Sequence, residues 1–278
     1  MVALLPVRQR RTVRFLRVHR RFPRIRDPRT FSDKINWRAL KDRRPELTWT
    51  CDKLAAKRRV AEVRPSVRIP ETYWHGTDLA ELTGVDLPDE WVLKPNGGCG
   101  LVLMGEGRID QGRVAEVTRL TRGWLDQDLA GSTGEWAYSQ AERCLFVEEK
   151  LGIGGGDLPP PNYKAYVAHG EVLRWSAVRW DGSRWNLSYF SPEWRSLGVS
   201  NVGYPPNEQM PPPASLGEMN AVAGAIAGDL DFLRVDLYEV EGEVWFGETT
   251  AYPNGGLVAF EPSSVDLEWG RLWELPGL

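Results

Sequence analysis

Short apolar runs, broken by charge, glycine or proline, alternate along the chain with stretches of helical spacing, which predicts a mixture of strands and helices. The segment to about Leu54 reads as mainly helical with a break near Pro23 to Pro28, and Thr30-Phe-Ser-Asp-Lys-Ile reads as a cap opening a helix. Arg68 to Trp74 and Glu90 to Lys94 read as strands separated by a short acidic helix, Asp78 to Leu82. A helix is expected over Val114 to Leu129, and an apolar strand over Cys144 to Lys150. Past the irregular Gly- and Pro-rich stretch Gly152 to Pro161, strands are expected over Tyr163 to Val167 and Val172 to Arg179, with Asp181-Gly182 turning into Arg184 to Phe190. A second Pro-rich stretch, Tyr204 to Pro213, precedes Ser215-Leu-Gly-Glu218, whose spacing fits a capping box for a helix reaching about Leu230. Leu233 to Val240 and Glu243 to Glu248 read as a hairpin around Glu241-Gly242. There is no internal repeat, and elements in this order argue for an α+β or mixed α/β architecture.

Candidate chemistry stands at the strand ends. Trp91-Val-Leu-Lys-Pro-Asn-Gly-Gly-Cys-Gly100 ends an apolar run in Lys94 and continues into a glycine-rich loop, an arrangement suited to gripping phosphate through a fixed cation and backbone N–H groups. It does not match the GxxxxGK[ST] phosphate loop. Asp236 and Glu248 fall on what should be adjacent strands, where two carboxylates on one face hold Mg²⁺ and leave the rest of its shell to water and phosphate. From spacing alone, solvated surface acids fit as well. Lys94 likewise reads as a snorkelling strand-end lysine, Lys53 and Lys164 as solvated lysines, and Arg234 as one half of an ion pair. His19, His75 and His169 are isolated, without metal-ligand spacing.

Composition removes several classes. A chain of 278 residues, 42% hydrophobic and 26% charged, buries a full core, and no apolar run approaches a membrane span. Cys51, Cys99 and Cys144 are odd in number and far apart, which fits a reducing compartment and a cytoplasmic protein. Residues 1–26 hold nine arginines and no acid, leaving 26 basic and 38 acidic residues, net −12, for the remainder. That remainder argues against a nucleic-acid-binding protein. The basic block fits peripheral contact with an anionic surface, or a solvated helix face that packs through Val13, Leu16 and Phe22.

The ordered set Phe31-Ser-Asp-Lys-Ile-Asn-Trp37, Cys51-Asp-Lys53, Trp91 to Gly100, Phe146-Val-Glu-Glu-Lys150, Tyr163-Lys164, Arg234-Val-Asp236 and Phe246-Gly-Glu248 resembles the ATP-grasp superfamily, most closely its TupA-like branch, named for teichuronopeptide biosynthesis. The match runs from about residue 29 to 261. The resemblance implies an α+β ATP-grasp fold: a mainly helical N-terminal and substrate-side region over 1–87, a lid subdomain over 88–150, and a C-terminal subdomain with the metal site over 151–278. ATP lies between the last two. It further implies that Lys53 and Lys94 contact ATP phosphates under a lid formed by Asn96, Gly97, Gly98 and Gly100. Glu148, with the backbone of Lys150 and Leu151, meets the adenine edge; Lys164 floors the phosphate site; Asp236 and Glu248 bind Mg²⁺; Arg234 stabilises the transferred phosphoryl group or an acyl-phosphate.

Three positions depart from the family pattern. Thr250 replaces an asparagine common there, so a second metal binds weakly or through Asn254; Cys99 replaces a loop serine; Asn162 replaces a ribose-binding acid, with Asp157 as a substitute. In Arg174 to Trp185, Trp175 and Arg179 share one strand face while Arg174 and Trp180 share the other. The family has an arginine near Arg179 that faces acceptor or phosphates, and cation–π packing is the competing role. Tyr252-Pro-Asn-Gly-Gly256 reads as a carboxylate-binding loop or a simple turn.

The activity implied is carboxylate–amine ligation through an acyl-phosphate, on an amino acid, peptide or acidic saccharide in natural-product or cell-surface polymer synthesis. A kinase acting on a hydroxyl and a non-catalytic nucleotide binder remain as alternatives. The sequence leaves the oligomeric state open.

Overall fold

The computed structural model describes residues 5–152, 160–180, 182–202, 204 and 210–277. Residues 153–159, Asp157 among them, and 205–209, parts of both Pro-rich stretches, lie outside these, as do Asp181 and Gly203. The chain opens with helices α1 (Val7–His19) and α2 (Phe31–Lys41). α2 starts as its sequence dictates, for the Thr30 hydroxyl accepts the Asp33 N–H at 3.1 Å and satisfies a donor the helix end leaves over. The N-terminal segment does not dock through Val13, Leu16 and Phe22. Arg11 and Phe15 are its buried residues, while Leu16 is 36% and Phe22 69% exposed. Arg11 goes inward because Asn36 Oδ1, 3.0 Å away, and the carbonyls of Thr133 and Gly255 accept its N–H groups there. α3 (Lys53–Val63) follows, capped by Asp52.

A four-stranded antiparallel sheet comes next, ordered β1 (Thr72–Gly76), β4 (Leu145–Glu149), β2 (Glu90–Pro95), β3 (Leu103–Glu106). β1 precedes residue 88 and joins this sheet through β4. It begins later than expected because Arg68 bridges instead to Trp245 of the second sheet. The helix expected over Val114 to Leu129 is two pieces, α4 (Gln111–Leu120) and α5 (Leu129–Thr133), parted by left-handed Gly123. The short acidic helix is a 3-10 turn over Leu79–Gly84.

The second sheet has five antiparallel strands, ordered β10 (Glu243–Thr250), β9 (Leu233–Val240), β5 (Asn162–Ala168), β6 (Glu171–Trp180), β7 (Trp185–Phe190). Glu241 and Gly242 take the left-handed backbone (φ 54° and 80°) that a two-residue hairpin turn needs. On one face α6 (Leu216–Ala227) and α3 pack Met219, Val222, Ile226 and Val60 against Trp175, Val235, Leu237 and Phe246. α6 has no capping box. Glu239 accepts the Ser215 N–H at 2.7 Å and its hydroxyl at 2.6 Å, taking the place expected of Glu218. The other face is divided. Over β6 and β7, α2 and α7 (Val265–Arg271) build an aromatic cluster that includes Phe31, Tyr166, Tyr189, Phe232, Trp269 and Trp273. Over β5, β9 and β10 that face carries charge. Among the described residues no helix is long and apolar enough to cross a membrane.

Candidate active site

Lys164 on β5 pairs in register with Asp236 on β9, which stands opposite Glu248 on β10. The second pairing depends on an irregularity. Val244 and Phe246 face the α6 core, so strict alternation would send Glu248 there too. Between Phe246 and Glu248 the register slips by one residue, and the bulge turns Glu248 to the face of Asp236. Gly247 is required by space, since a Cβ there would lie 2.7 Å from Tyr238 Cε2 and 3.0 Å from the Asp236 carbonyl oxygen.

Asp236 is fully buried and receives Arg234 Nε at 2.6 Å, Arg234 Nη2 at 2.9 Å and Lys164 Nζ at 2.5 Å. Burial alone would push its pKa up, but the charges and hydrogen bonds of Arg234 and Lys164 outweigh this and hold it below the ordinary 3.8. Arg234 also donates to Glu248 Oε1 at 3.1 Å. Two carboxylates side by side fit Mg²⁺, which takes one or two such ligands and fills its shell with water and phosphate oxygens. Among the described residues no cluster of three or more His, Cys, Asp or Glu forms a metal cage without them. Thr250 pairs with Arg234 in register on the same face. Asn254 lies exposed in a left-handed 3-10 turn, Pro253–Gly256. That loop uses its carbonyls for Arg11 and His19, and its Gly255 N–H bonds Tyr252 O at 2.8 Å, so it behaves as a turn.

From the four-stranded sheet, Trp91, Leu93 and Val147 point into that sheet's own core while Lys94 and Glu148 project the other way. Glu148 is buried and ion-paired to both Lys94 and Lys57, the latter at 2.6 Å. Burial raises its pKa, and the two ammonium groups bring it below the ordinary 4.5. Glu148, the residue expected at the adenine edge with the backbone of Lys150 and Leu151, is thus the counter-ion of two lysines. Sequence reasoning missed Lys57. Its signal was a lysine three residues after Leu54 and three before Val60, inside the buried stripe of α3. Lys150 pairs with Glu90, and Leu151 lies half-buried at the exit of β4.

Lys53 donates to the carbonyls of Pro95 (3.1 Å), Asn96 (3.2 Å) and Gly98, so it fastens the glycine loop to α3. Burial depresses its pKa; Glu248 opposes that shift and Lys94 adds to it. Lys53 thus lies in the fields of both sheets, and it lines one small pocket with Glu248 and Tyr138. Asn96 is wholly buried, accepting the Leu54 N–H at 2.9 Å and donating to Glu142 O at 3.0 Å. A Cβ on Gly97 would meet Ala141 Cβ at 2.8 Å, and one on Gly98 would meet Pro95 Cγ at 2.6 Å. Gly100 is exposed with φ 70°. Lys53, Lys57, Lys94, Lys164 and Arg234 outnumber Glu148, Asp236 and Glu248, leaving the assembled groups two charges positive and suited to an anion.

Arg179 is not brought here. It shares the strand face of Trp175 and Ala177, which lie on the α6 side of the sheet, and is exposed. Arg174 lies on the site's side but under the aromatic cluster, its guanidinium carbon 3.9 Å from the Trp269 ring centre, 4.2 Å from Tyr166 and 4.6 Å from Phe31. Cation–π packing is its role, and burial lowers its pKa to about 10.

The sequence profile of the TupA-like ATP-grasp family matches residues 33–274. No curated protein matches the chain. Among solved structures it is similar to D-alanine–D-alanine ligase from Bacillus anthracis complexed with ATP (13% identity, 72% of this chain and 54% of that one, TM-score 0.44). It is also similar to L-amino acid ligase from Bacillus licheniformis (16%, 75% and 44%, 0.46) and D-alanine–D-alanine ligase from Helicobacter pylori (13%, 82% and 59%, 0.45). The chain spans about half the length of these structures.

Proposed function

Because the chain belongs to the TupA-like ATP-grasp family, we propose that it is an ATP-dependent carboxylate–amine ligase. The observation that carries this reading is the row Lys164, Asp236, Glu248, set by the bulge at Gly247 and facing Lys53 and Lys94 across one site. Under this reading the segment 88–150 acts as lid, 151–278 as floor, and 1–87 as the substrate side. A carboxylate oxygen would take the terminal phosphoryl group of Mg-ATP as ADP leaves, and an amine would then attack the acyl-phosphate, releasing phosphate and a proton and leaving an amide.

The protein's part is positional and electrostatic. Asp236 and Glu248 hold Mg²⁺; Lys94 and Lys164 bind phosphate oxygens; Arg234, already oriented by both carboxylates, offsets charge on the phosphoryl group in transfer. Lys53 holds the loop 96–100 in place as a cover that excludes water. The adenine edge falls to the backbone of Lys150 and Leu151. The substrates are an amino acid, short peptide or acidic saccharide, and the free thiols Cys51, Cys99 and Cys144 suit a cytoplasmic reaction.

The test is ADP release from Mg-ATP over a panel of such acids, with and without hydroxylamine. Acid-dependent release with hydroxamate formation is expected. Release with a stable phosphorylated product and no hydroxamate would replace the ligase by a kinase, and ATP binding without release for any acceptor would make the protein a nucleotide-binding scaffold.

A further inference from the structure

A second concentration of charge lies away from the site. Between Arg8 and Lys34 the chain has eleven basic residues against Asp27 and Asp33. Both acids are engaged: Asp27 takes Arg29 at 2.7 Å, and Asp33, with no exposed side-chain surface, takes Arg21 at 2.8 Å. Arg17, Arg20, Arg24 and Arg26 remain exposed around Phe22, which is 69% exposed. Beside them a cavity of about 630 Å³ opens between this segment and α7, with Arg21, Arg24, Arg29, Lys34 and Arg271 around Pro28 and Leu267. Leu16, Leu267 and Leu272 are exposed on the same elements at 36%, 38% and 51%. Glu268 and Glu274 are the exposed acids contributed there by the C-terminal segment.

We propose that this face, residues 16–34 with α7, binds the phosphate-rich surface of an anionic lipid membrane. Soluble proteins seldom expose a phenylalanine beside several leucines without a use for them, and an aromatic ring flanked by arginines matches an interface that is apolar below and anionic above. Charge complementarity selects the partner, because the rest of the chain is net acidic and would be repelled from such a surface in any other orientation. The aliphatic and proline walls of the cavity suit a lipid with its headgroup phosphate among the arginines. The placement also explains why Phe22 and Leu16 stay outside the fold while Arg11 and Phe15 enter it.

The experiment is co-sedimentation of the full chain with vesicles of phosphatidylcholine alone, or of phosphatidylcholine with an equal part of phosphatidylglycerol. Binding is expected only to the anionic vesicles, falling with salt. The triple variant Arg20→Glu, Arg24→Glu, Arg26→Glu should weaken it by a hundredfold or more, roughly fivefold for each cation removed and more for reversal. Phe22→Ala should lower binding by about tenfold while preserving its salt dependence. All four side chains are exposed, and unchanged melting of the variants confirms that they fold. Equal binding to both vesicles, no binding to either, or indifference to the triple variant would each overturn the proposal. Displacement from anionic vesicles by millimolar glycerol phosphate would also overturn it, in favour of a site for soluble phosphate esters.

Discussion

Gly247→Ala tests whether the bulge sets the face on which Glu248 stands. The added methyl would sit 2.7 Å from Tyr238 Cε2 and 3.0 Å from the Asp236 carbonyl, against an ordinary carbon–carbon separation of about 3.5 to 4.0 Å. About 1 Å of movement must be found. Tyr238 is tethered, its hydroxyl accepting from Asn162 Nδ2 at 3.1 Å, and Asp236 is held by Arg234 and Lys164. The bulge is the softer partner, so Glu248 moves. Overpacking of this kind costs about 1 to 3 kcal/mol, a fall in Tm of roughly 2 to 12 °C for a chain of this size. Under the proposed function, a displacement of about 1 Å in such a positioning group costs turnover on the order of a hundredfold. Scanning calorimetry and ADP release at saturating Mg-ATP measure the two effects on one preparation. Gly217→Ala, where a Cβ meets nothing within 4 Å, is the control and should leave turnover unchanged. Wild-type melting and turnover in Gly247→Ala would refute the argument that the slipped register needs a glycine and aims Glu248.

Four further outcomes follow from the same geometry. Glu248→Gln, at a carboxylate 41% exposed, should abolish most Mg-ATP turnover with little change in Tm, whereas Asp236→Asn removes the charge that buried Arg234 shares with Lys164, leaving Arg234 only Glu248, and should cost about 3 to 5 kcal/mol by urea denaturation. Glu148 and Asp236 both titrate below their ordinary 4.5 and 3.8 when folded, so the stability they contribute is present above about pH 4.5 and drains away as pH falls through the folded values. In urea melts between pH 7 and 3, Lys57→Met should move that loss to higher pH, because Glu148 then keeps a single ammonium partner. Lys53→Met removes the donor to three loop carbonyls and should speed hydrogen exchange across residues 97–100 and raise KM for ATP. Arg179→Ala should leave kcat and KM within twofold, given that its side chain leaves the sheet on the α6 side.

Local chemistry was legible where it is settled locally. Thr30 caps α2, and Glu241-Gly242 turns the hairpin, because both depend on a few neighbouring residues. The pairing of Asp236 with Glu248 was also foreseen, but for incomplete reasons: plain alternation places Glu248 in the core, and the bulge that rescues it leaves only an unremarked glycine in the sequence. The capping box failed at Ser215 because Glu239, from a strand, accepts the Ser215 N–H and hydroxyl that the box would use. Lys57 was missed since its acid lies ninety-one residues away on β4, and Arg11 was taken for a solvated residue because its acceptors Thr133, at the end of α5, and Gly255, in the Pro253–Gly256 turn, are distant in sequence. Arg174 and Arg179 were separable by parity, but only the sheet's two coverings decide which face is which.

The aromatic cluster over β6 and β7 has a consequence for how the chain is made. It is closed by residues from opposite ends: the Ser32 N–H meets Asp266 Oδ1 at 2.8 Å across 234 positions, Phe31 packs on Trp273 at 5.8 Å, and Trp273 Nε1 bonds Asp231 at 2.7 Å. A nascent chain emerging from the ribosome therefore carries the sheet with that half uncovered, and Arg174 still in water, until α7 is free of the exit tunnel. The loop to be closed spans 234 positions, so docking of these two segments is a late event that earlier elements must await. A fragment that stops short of α7 would keep the residues of the candidate site and lose the aromatic packing beside them.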